Sequence, residues 1–229
     1  MRRVFKKIIN YGIALLTLTR LSNAHSVKAH QSNNSINIEV SADLFNKNVF
    51  RGVTYSNHPV LQPNISIGYA SLSANIWSNI GLGNGKLSEV DYTLEHHRQI
   101  GSRLNTSLGY TLYTFPNPFK GNTQEIYTRI GLETKLNPCL IMVVDFKQGR
   151  GVYGELSIGH EFVKGPNINA AIHYNHSYFR EGNGLSHGTI FFSKQFPIRG
   201  TTLSPKLAIA KSLSKGFKHE VYGGLNLRF

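Results

Sequence analysis

The chain has 229 residues, one cysteine, 40% hydrophobic residues and a formal net charge of +13. Five of its 25 cations (Arg2, Arg3, Lys6, Lys7 and Arg20) lie in the first 24 residues, where no acid occurs, so residues 25–229 carry 20 Lys and Arg against 12 acids and a charge of +8. The lone Cys139 excludes a disulfide framework and a cysteine-based metal site, and beyond the leader no stretch stays apolar for the roughly 18 residues that a spanning helix requires.

The first segment reads as an export signal. Met1-Arg2-Arg3-Val4-Phe5-Lys6-Lys7 is a basic n-region, Ile8 to Leu21 is a short apolar run, and Ser22-Asn23-Ala24 supplies small residues for cleavage. A second cleavage point follows Ala29, and the mature start is placed near His25. Residues 25–35 are expected to form a loose lead-in, and 36–229 a single domain. An exported chain does not routinely meet nucleic acid, so the basic balance is assigned to anionic lipid at a membrane surface.

From Ile36 onward the pattern has period two, the signature of strands. Ile36, Ile38, Val40, Ala42 and Leu44 share one face; Asn37, Glu39, Ser41 and Asp43 share the other. Leu104 to Leu112, Ile126 to Leu132 and Val152 to Ile158 repeat the alternation. Twelve such segments are predicted, over 36–45, 60–69, 72–80, 88–97, 102–112, 122–134, 139–146, 151–162, 167–178, 187–196, 202–212 and 218–229. Pro205 sits inside the eleventh, where a ladder hydrogen bond would be lost. The connections alternate between tight turns (Ala70-Ser71, Arg98 to Gly101, Lys135 to Pro138, Val163 to Pro166, Pro197 to Gly200) and generally longer loops, the first of them Asn46 to Pro59. That rhythm predicts an all-β fold, a transmembrane up-and-down antiparallel barrel of about 12 strands.

Three features favour a membrane barrel over a soluble sandwich. The polar face carries charges of both signs: Glu39, Asp43, Glu89, Asp91, Glu95, Arg103, Glu125, Arg129, Glu133, Glu155 and Arg228. Tyr69, Tyr110, Tyr113, Phe115, Tyr174, Tyr178 and Phe179 cluster near segment ends, as interfacial girdles do. Val221, Leu225, Leu227 and Phe229 alternate to the last residue, an ending that resembles the signal read by the outer-membrane assembly machinery. In lipid every backbone polar group must be paired, and only a closed sheet has no edge.

Residues 36–80 resemble the start of the TorF porin family. The matching residues are Phe50-Arg51-Gly52, Pro59-Val60-Leu61-Gln62-Pro63 and Ala74-Asn75-Ile76-Trp77-Ser78-Asn79, continued by Glu89-Val90-Asp91-Tyr92. The likeness covers about a quarter of the chain. The step through Asn46-Lys47-Asn48-Val49 is longer than the family pattern. The resemblance implies a barrel and a pore, without a substrate.

Strands about 4.8 Å apart and tilted about 40° give a backbone radius of roughly 12 Å for twelve strands, against roughly 8 Å for eight. A narrow passage is therefore expected unless a loop or charge cluster fills it. Its expected lining is Glu39, Asp43, Trp77, Glu89, Asp91, Glu95, Arg103, Glu125, Arg129, Glu133 and Glu155, with Arg51 and Gly52 anchoring the first loop inward. Ser186, His187, His173 and His176 lie close in sequence, but no nucleophile, base and acid set has a family spacing, so no catalytic residue, metal or cofactor is expected. Lys47, Arg51, Lys86, Lys120, Lys147, Arg150, Arg180, Lys215 and Lys218 are placed at the outer ends, facing lipopolysaccharide phosphates. The leading expectation is a passive channel for small hydrophilic solutes or ions. The alternatives are a barrel-embedded lipid-modifying enzyme and a structural or adhesive barrel with a plugged lumen. Expected partners are outer-membrane lipids and the barrel assembly machinery.

Overall fold

A computed structural model describes residues 35–116, 121–178, 183–215 and 217–229. The signal segment and Phe179, Lys120 and Arg180 lie outside the described residues. Alternation drives the first strand, β1 (Asn37–Phe45), into extended chain, and the next long strand is β4 (Val60–Tyr69). Between them a small hairpin forms from β2 (Asn48–Phe50) and β3 (Val53–Ser56). Then follow β5 (Leu72–Gly81), β6 (Lys86–Ile100), β7 (Leu104–Thr114), β8 (Thr123–Leu132) and β9 (Cys139–Asp145). The second half holds β10 (Gly151–Glu161), β11 (Asn167–His176), β12 (Asn183–Ser193), the short β13 (Phe196–Ile198), β14 (Thr201–Ser212) and β15 (Glu220–Arg228).

Each long strand pairs antiparallel with its neighbours in the chain, and β1 pairs with β15 to shut the ring. The β12–β14 ladder, from His187↔Ser212 to Ser193↔Lys206, completes the circuit. Twelve strands thus form a closed up-and-down barrel, with β2–β3 and β13 as additions, so the barrel leaves no long edge unpaired. No helix occurs among the described residues.

The barrel is inverted relative to a soluble protein. Ile67, Leu94, Leu108, Leu156, Ile172 and Val221 point outward and are exposed, while Ser, Asn, Asp and Glu fill the inside. A monomeric soluble protein rarely exposes so continuous an apolar band, whereas a hydrocarbon-facing barrel requires one. The five tight connections at one end each contain a residue with positive φ: Ala70, Gly101, Asn137, Lys164, and Arg199 with Gly200.

Several strand ends depart from the predicted spans. β6 is longer than expected and runs to Ile100, and the turn then occupies residues 101–103, so Arg103 is exposed at the barrel end and does not line the interior. The left-handed Gly101 (φ 62°) sets that turn, which delays β7 to Leu104. The tenth predicted strand begins earlier, at Asn183, and bulges between His173 and Tyr174 of its partner, leaving Ser186 as the extra residue. Pro205 sits within β14 at little cost: its carbonyl accepts from Lys194 N, beyond the end of the β12 ladder, so its missing N–H faces that side and not β15.

Candidate functional site

The inward face of the barrel carries the chain's polar chemistry. Along β6, Glu89, Asp91 and Glu95 all face inward and are buried, because residues two apart share a face. β8 presents Glu125, Tyr127 and Arg129, β10 presents Tyr153 and Glu155, and β1 presents Glu39 and Asp43. Trp77, inward on β5, lies opposite Asp91 and is buried. Glu133 stands just past β8, half-buried, and accepts a hydrogen bond from Asn105 Nδ2 at 2.9 Å.

These groups are cross-linked across strands. Lys206 Nζ meets Asp43 Oδ1 at 2.7 Å. Tyr127 donates to Glu95 Oε2 at 2.5 Å and Tyr113 to Glu125 Oε2 at 2.8 Å. The Tyr153 hydroxyl lies 2.6 Å from His173 Nδ1, and the His173 ring stacks on His187 with centroids 4.0 Å apart. Tyr113 and Tyr178, expected in the outer girdles, instead point inward and are buried. Tyr113 shares parity with Asn105, Ser107 and Thr111, and its hydroxyl finds a carboxylate there. Tyr69, Tyr110 and Tyr174 are exposed.

The first loop enters this interior. Arg51 and Gly52 both have positive φ (49° and 75°), the pair of left-handed residues that a two-residue I′ hairpin turn demands, so Phe50 and Val53 pair around them. Arg51 Nη1 and Nη2 reach the two oxygens of Glu125 at 2.7 and 3.1 Å, a bidentate clamp. The Tyr178 hydroxyl accepts from Arg51 and donates to Glu125. The guanidinium also lies 4.5–4.7 Å from the ring centroids of Phe50, Tyr153 and Tyr178. Burial opposes the Arg51 charge, but Glu125 and the surrounding acidic groups outweigh it and leave the guanidinium's pKa above its ordinary value.

Gly52 has no room for a side chain, since a Cβ there would meet His187 Nδ1 at 2.7 Å. At the hairpin's base Lys47 Nζ and Thr54 Oγ1 both donate to Glu220, at 2.8 and 2.6 Å, and Gln62 Nε2 donates to Asn48 Oδ1 at 3.4 Å. The hairpin therefore crosses the interior, held by β15 at its base and by β8, β10 and β12 at its tip. Lys47 and Arg51, expected among the outward cations, are turned inward to acids.

The Ser186–His187 pair is also internal, because the β12 bulge turns both residues inward. Ser186 Oγ donates to the carbonyl oxygen of His173 at 3.2 Å and lies 3.0 Å from His187 Nδ1. Lys206, Asp145, Glu220, His173 and His187 lie outside the expected lining, and all are buried in the interior. Parity with the neighbouring Ser204 and Asn226 would have found Lys206 and Glu220.

No protein-family model matches the chain, and no curated protein matches it. Solved structures do. One, a KdgM porin in complex with disordered oligogalacturonate, superposes with a TM-score of 0.59 at 12% identity, covering 84% of this chain and 97% of the other. A second KdgM porin structure gives 0.58 at 11% identity, with the same coverage. At such identity the likeness speaks for architecture alone, and over most of its length the chain shares the fold of these porin barrels.

Proposed function

We propose that the chain is an outer-membrane channel for the passive passage of small hydrophilic solutes or ions. The observation that carries this reading is the closed twelve-stranded barrel with an apolar outside and a charged inside. An apolar outer wall is unfavourable in water and favourable in hydrocarbon. A charged inner wall is costly unless water or counter-charge reaches it. The likeness to solved porin barrels and the TorF-like motifs of residues 36–80 support the same reading, as does the basic, then apolar, leader at residues 1–24.

In this reading Glu39, Asp43, Trp77, Glu89, Asp91, Glu95, Glu125, Arg129 and Glu155 line the passage. The Arg51–Gly52 hairpin narrows it. Basic loops with Lys86, Lys147 and Arg150 meet lipopolysaccharide phosphates.

The test is reconstitution. Mature protein refolded into detergent and added to a planar lipid bilayer should produce discrete conductance steps. A barrel that folds and inserts, yet leaves the bilayer silent, would overturn the channel and favour a structural role.

A further inference from the structure

Resting on the channel reading above for access from water, we propose that the barrel holds a seat for a small zwitterionic solute, its carboxylate on Arg129 and its ammonium on Glu155. The two side chains stand at one level of the inner wall. Arg129 on β8 and Glu155 on β10 are both in register with Ile141 of the intervening β9, which puts their Cα atoms about 10 Å apart, two strand spacings. All three residues have the inward parity of their strands.

The protein matches neither charge fully. Arg129 and Glu155 form no ion pair with each other, and Arg129 Nε and Glu155 Oε1 are buried with no hydrogen-bond partner. Glu155 Oε2 lies 3.5 Å from His173 Nδ1, a nitrogen already 2.6 Å from the Tyr153 hydroxyl. The other charged groups around them are engaged elsewhere. Glu95 accepts from Tyr127 and lies 3.3 Å from His97, and Arg51 holds Glu125. A buried base and a buried acid left open side by side are unfavourable. A solute carrying both charges satisfies them together, whereas a simple anion or cation satisfies one and is repelled by the other.

The layers above and below give the seat its shape. Toward the hairpin, the next inward layer is Tyr127, Val143 and Tyr153, which pack with Tyr178 into a wall beneath the Arg51 tip. Toward the tight turns, the next inward layer is Gly131, Cys139 and Ser157, joined in register and all small. A Cβ added at Gly131 would meet nothing nearer than the Pro138 carbonyl oxygen at 3.9 Å, so that side has room. Ile141, packed against the aromatic wall, forms an apolar floor between the two charges. An apolar floor with a few convergent polar groups is the ordinary make-up of a small-molecule site, and opposite charges at its two edges suit a short amino acid.

The test is saturation-transfer NMR on the refolded barrel in detergent, at neutral pH and low salt so that screening is weak. The probe is β-alanine, with propionate and ethylamine as its carboxylate-only and ammonium-only counterparts. β-Alanine should bind saturably and roughly tenfold or more tightly than either, the worth of one charge-assisted contact. Arg129→Gln and Glu155→Gln should each weaken it by about the same factor. Gly131→Leu, which fills the layer of small residues and keeps both charges, should also weaken it. If one variant does not refold, the others, which lie on two different strands, carry the comparison. Equal affinity for the three probes, or undiminished β-alanine binding by the refolded variants, overturns the seat. No β-alanine binding by a barrel that gives conductance steps overturns the seat and leaves the channel standing. Binding by a folded barrel that gives no steps overturns the channel and leaves the seat.

Discussion

Arg51 concentrates most of the loop's specific chemistry. Its two nitrogens hold one carboxylate, its face lies against three rings, and its backbone makes half of an I′ turn. Removing one partner of a buried pair leaves the other uncompensated. Arg51→Ala should therefore lower stability by about 1–3 kcal/mol, less than for a dry pair because the side chain retains 16% exposure. Adding Glu125→Gln to that variant should cost little more, and urea titration of the refolded proteins reads both. The same substitution should free the hairpin tip and raise single-channel conductance. Gly52 offers a check by a different physical route. Gly52→Ala meets both a left-handed φ and the His187 ring, so it should release the tip as Arg51→Ala does. Pairing it with His187→Ala removes the clash and should restore part of the loss. If the double variant is as damaged as Gly52→Ala alone, backbone strain dominates over the contact. A sequence reader could see that Arg51 and Gly52 belong to a turn. The partner was not visible, since Glu125 lies 74 residues away and only barrel closure brings them together.

At the scale of the strand, period two carried most of the information. Alternation located the twelve long strands to within a few residues, because a lipid-facing strand has only two environments and no intermediate. It also sorted faces correctly where segment-end aromatics misled. Tyr113 has the parity of Ser107 and Thr111, and it is buried with them. Two kinds of element escaped. The β2–β3 hairpin is too short to alternate, so residues 46–59 carry only the pattern of a loop. The bulge at Ser186 shifts parity inside β12: His187 keeps the parity of the inward Phe191 and Ser193, and it is Ser186 that a face count would place outside. Parity also yields a sharp contrast. Leu108 is mid-β7 and 60% exposed on the outer face. Leu108→Arg should cost about 2–4 kcal/mol when the protein folds into a bilayer, the depth-dependent penalty of a charge at the midplane. In short-chain detergent micelles, which deform around a charge, the cost should shrink. Equal penalties in both media would mean that this face packs against protein instead of hydrocarbon.

For the whole molecule the decisive event is closure, and the seam between β1 and β15 is where it happens. β15 is the last strand in the chain, yet it must pair with the first, from Ser41↔Arg228 to Phe45↔Gly224. Loop-closure entropy for so long a separation is paid before the seam gives anything back. Phe229 sits at the end of that seam: its N–H donates to Val40 O at 2.9 Å, and its ring is 64% exposed on the outer face with Val221, Leu225 and Leu227. Two roles are therefore superimposed on one residue, a backbone bond that trims the seam and a ring that contributes nothing to the interior. They separate cleanly by substitution. Phe229→Ala keeps the backbone N–H and removes only the ring. If the ring serves recognition by the assembly machinery, this variant should refold in detergent at close to the wild-type urea midpoint, while its level in the outer membrane of an expressing Gram-negative cell falls several-fold. Deleting Phe229 also removes the bond to Val40 and should add about 1 kcal/mol of destabilisation in vitro. Equal loss in vitro and in cells for Phe229→Ala would assign the ring to packing at the seam, and undisturbed membrane levels would remove it from the assembly signal.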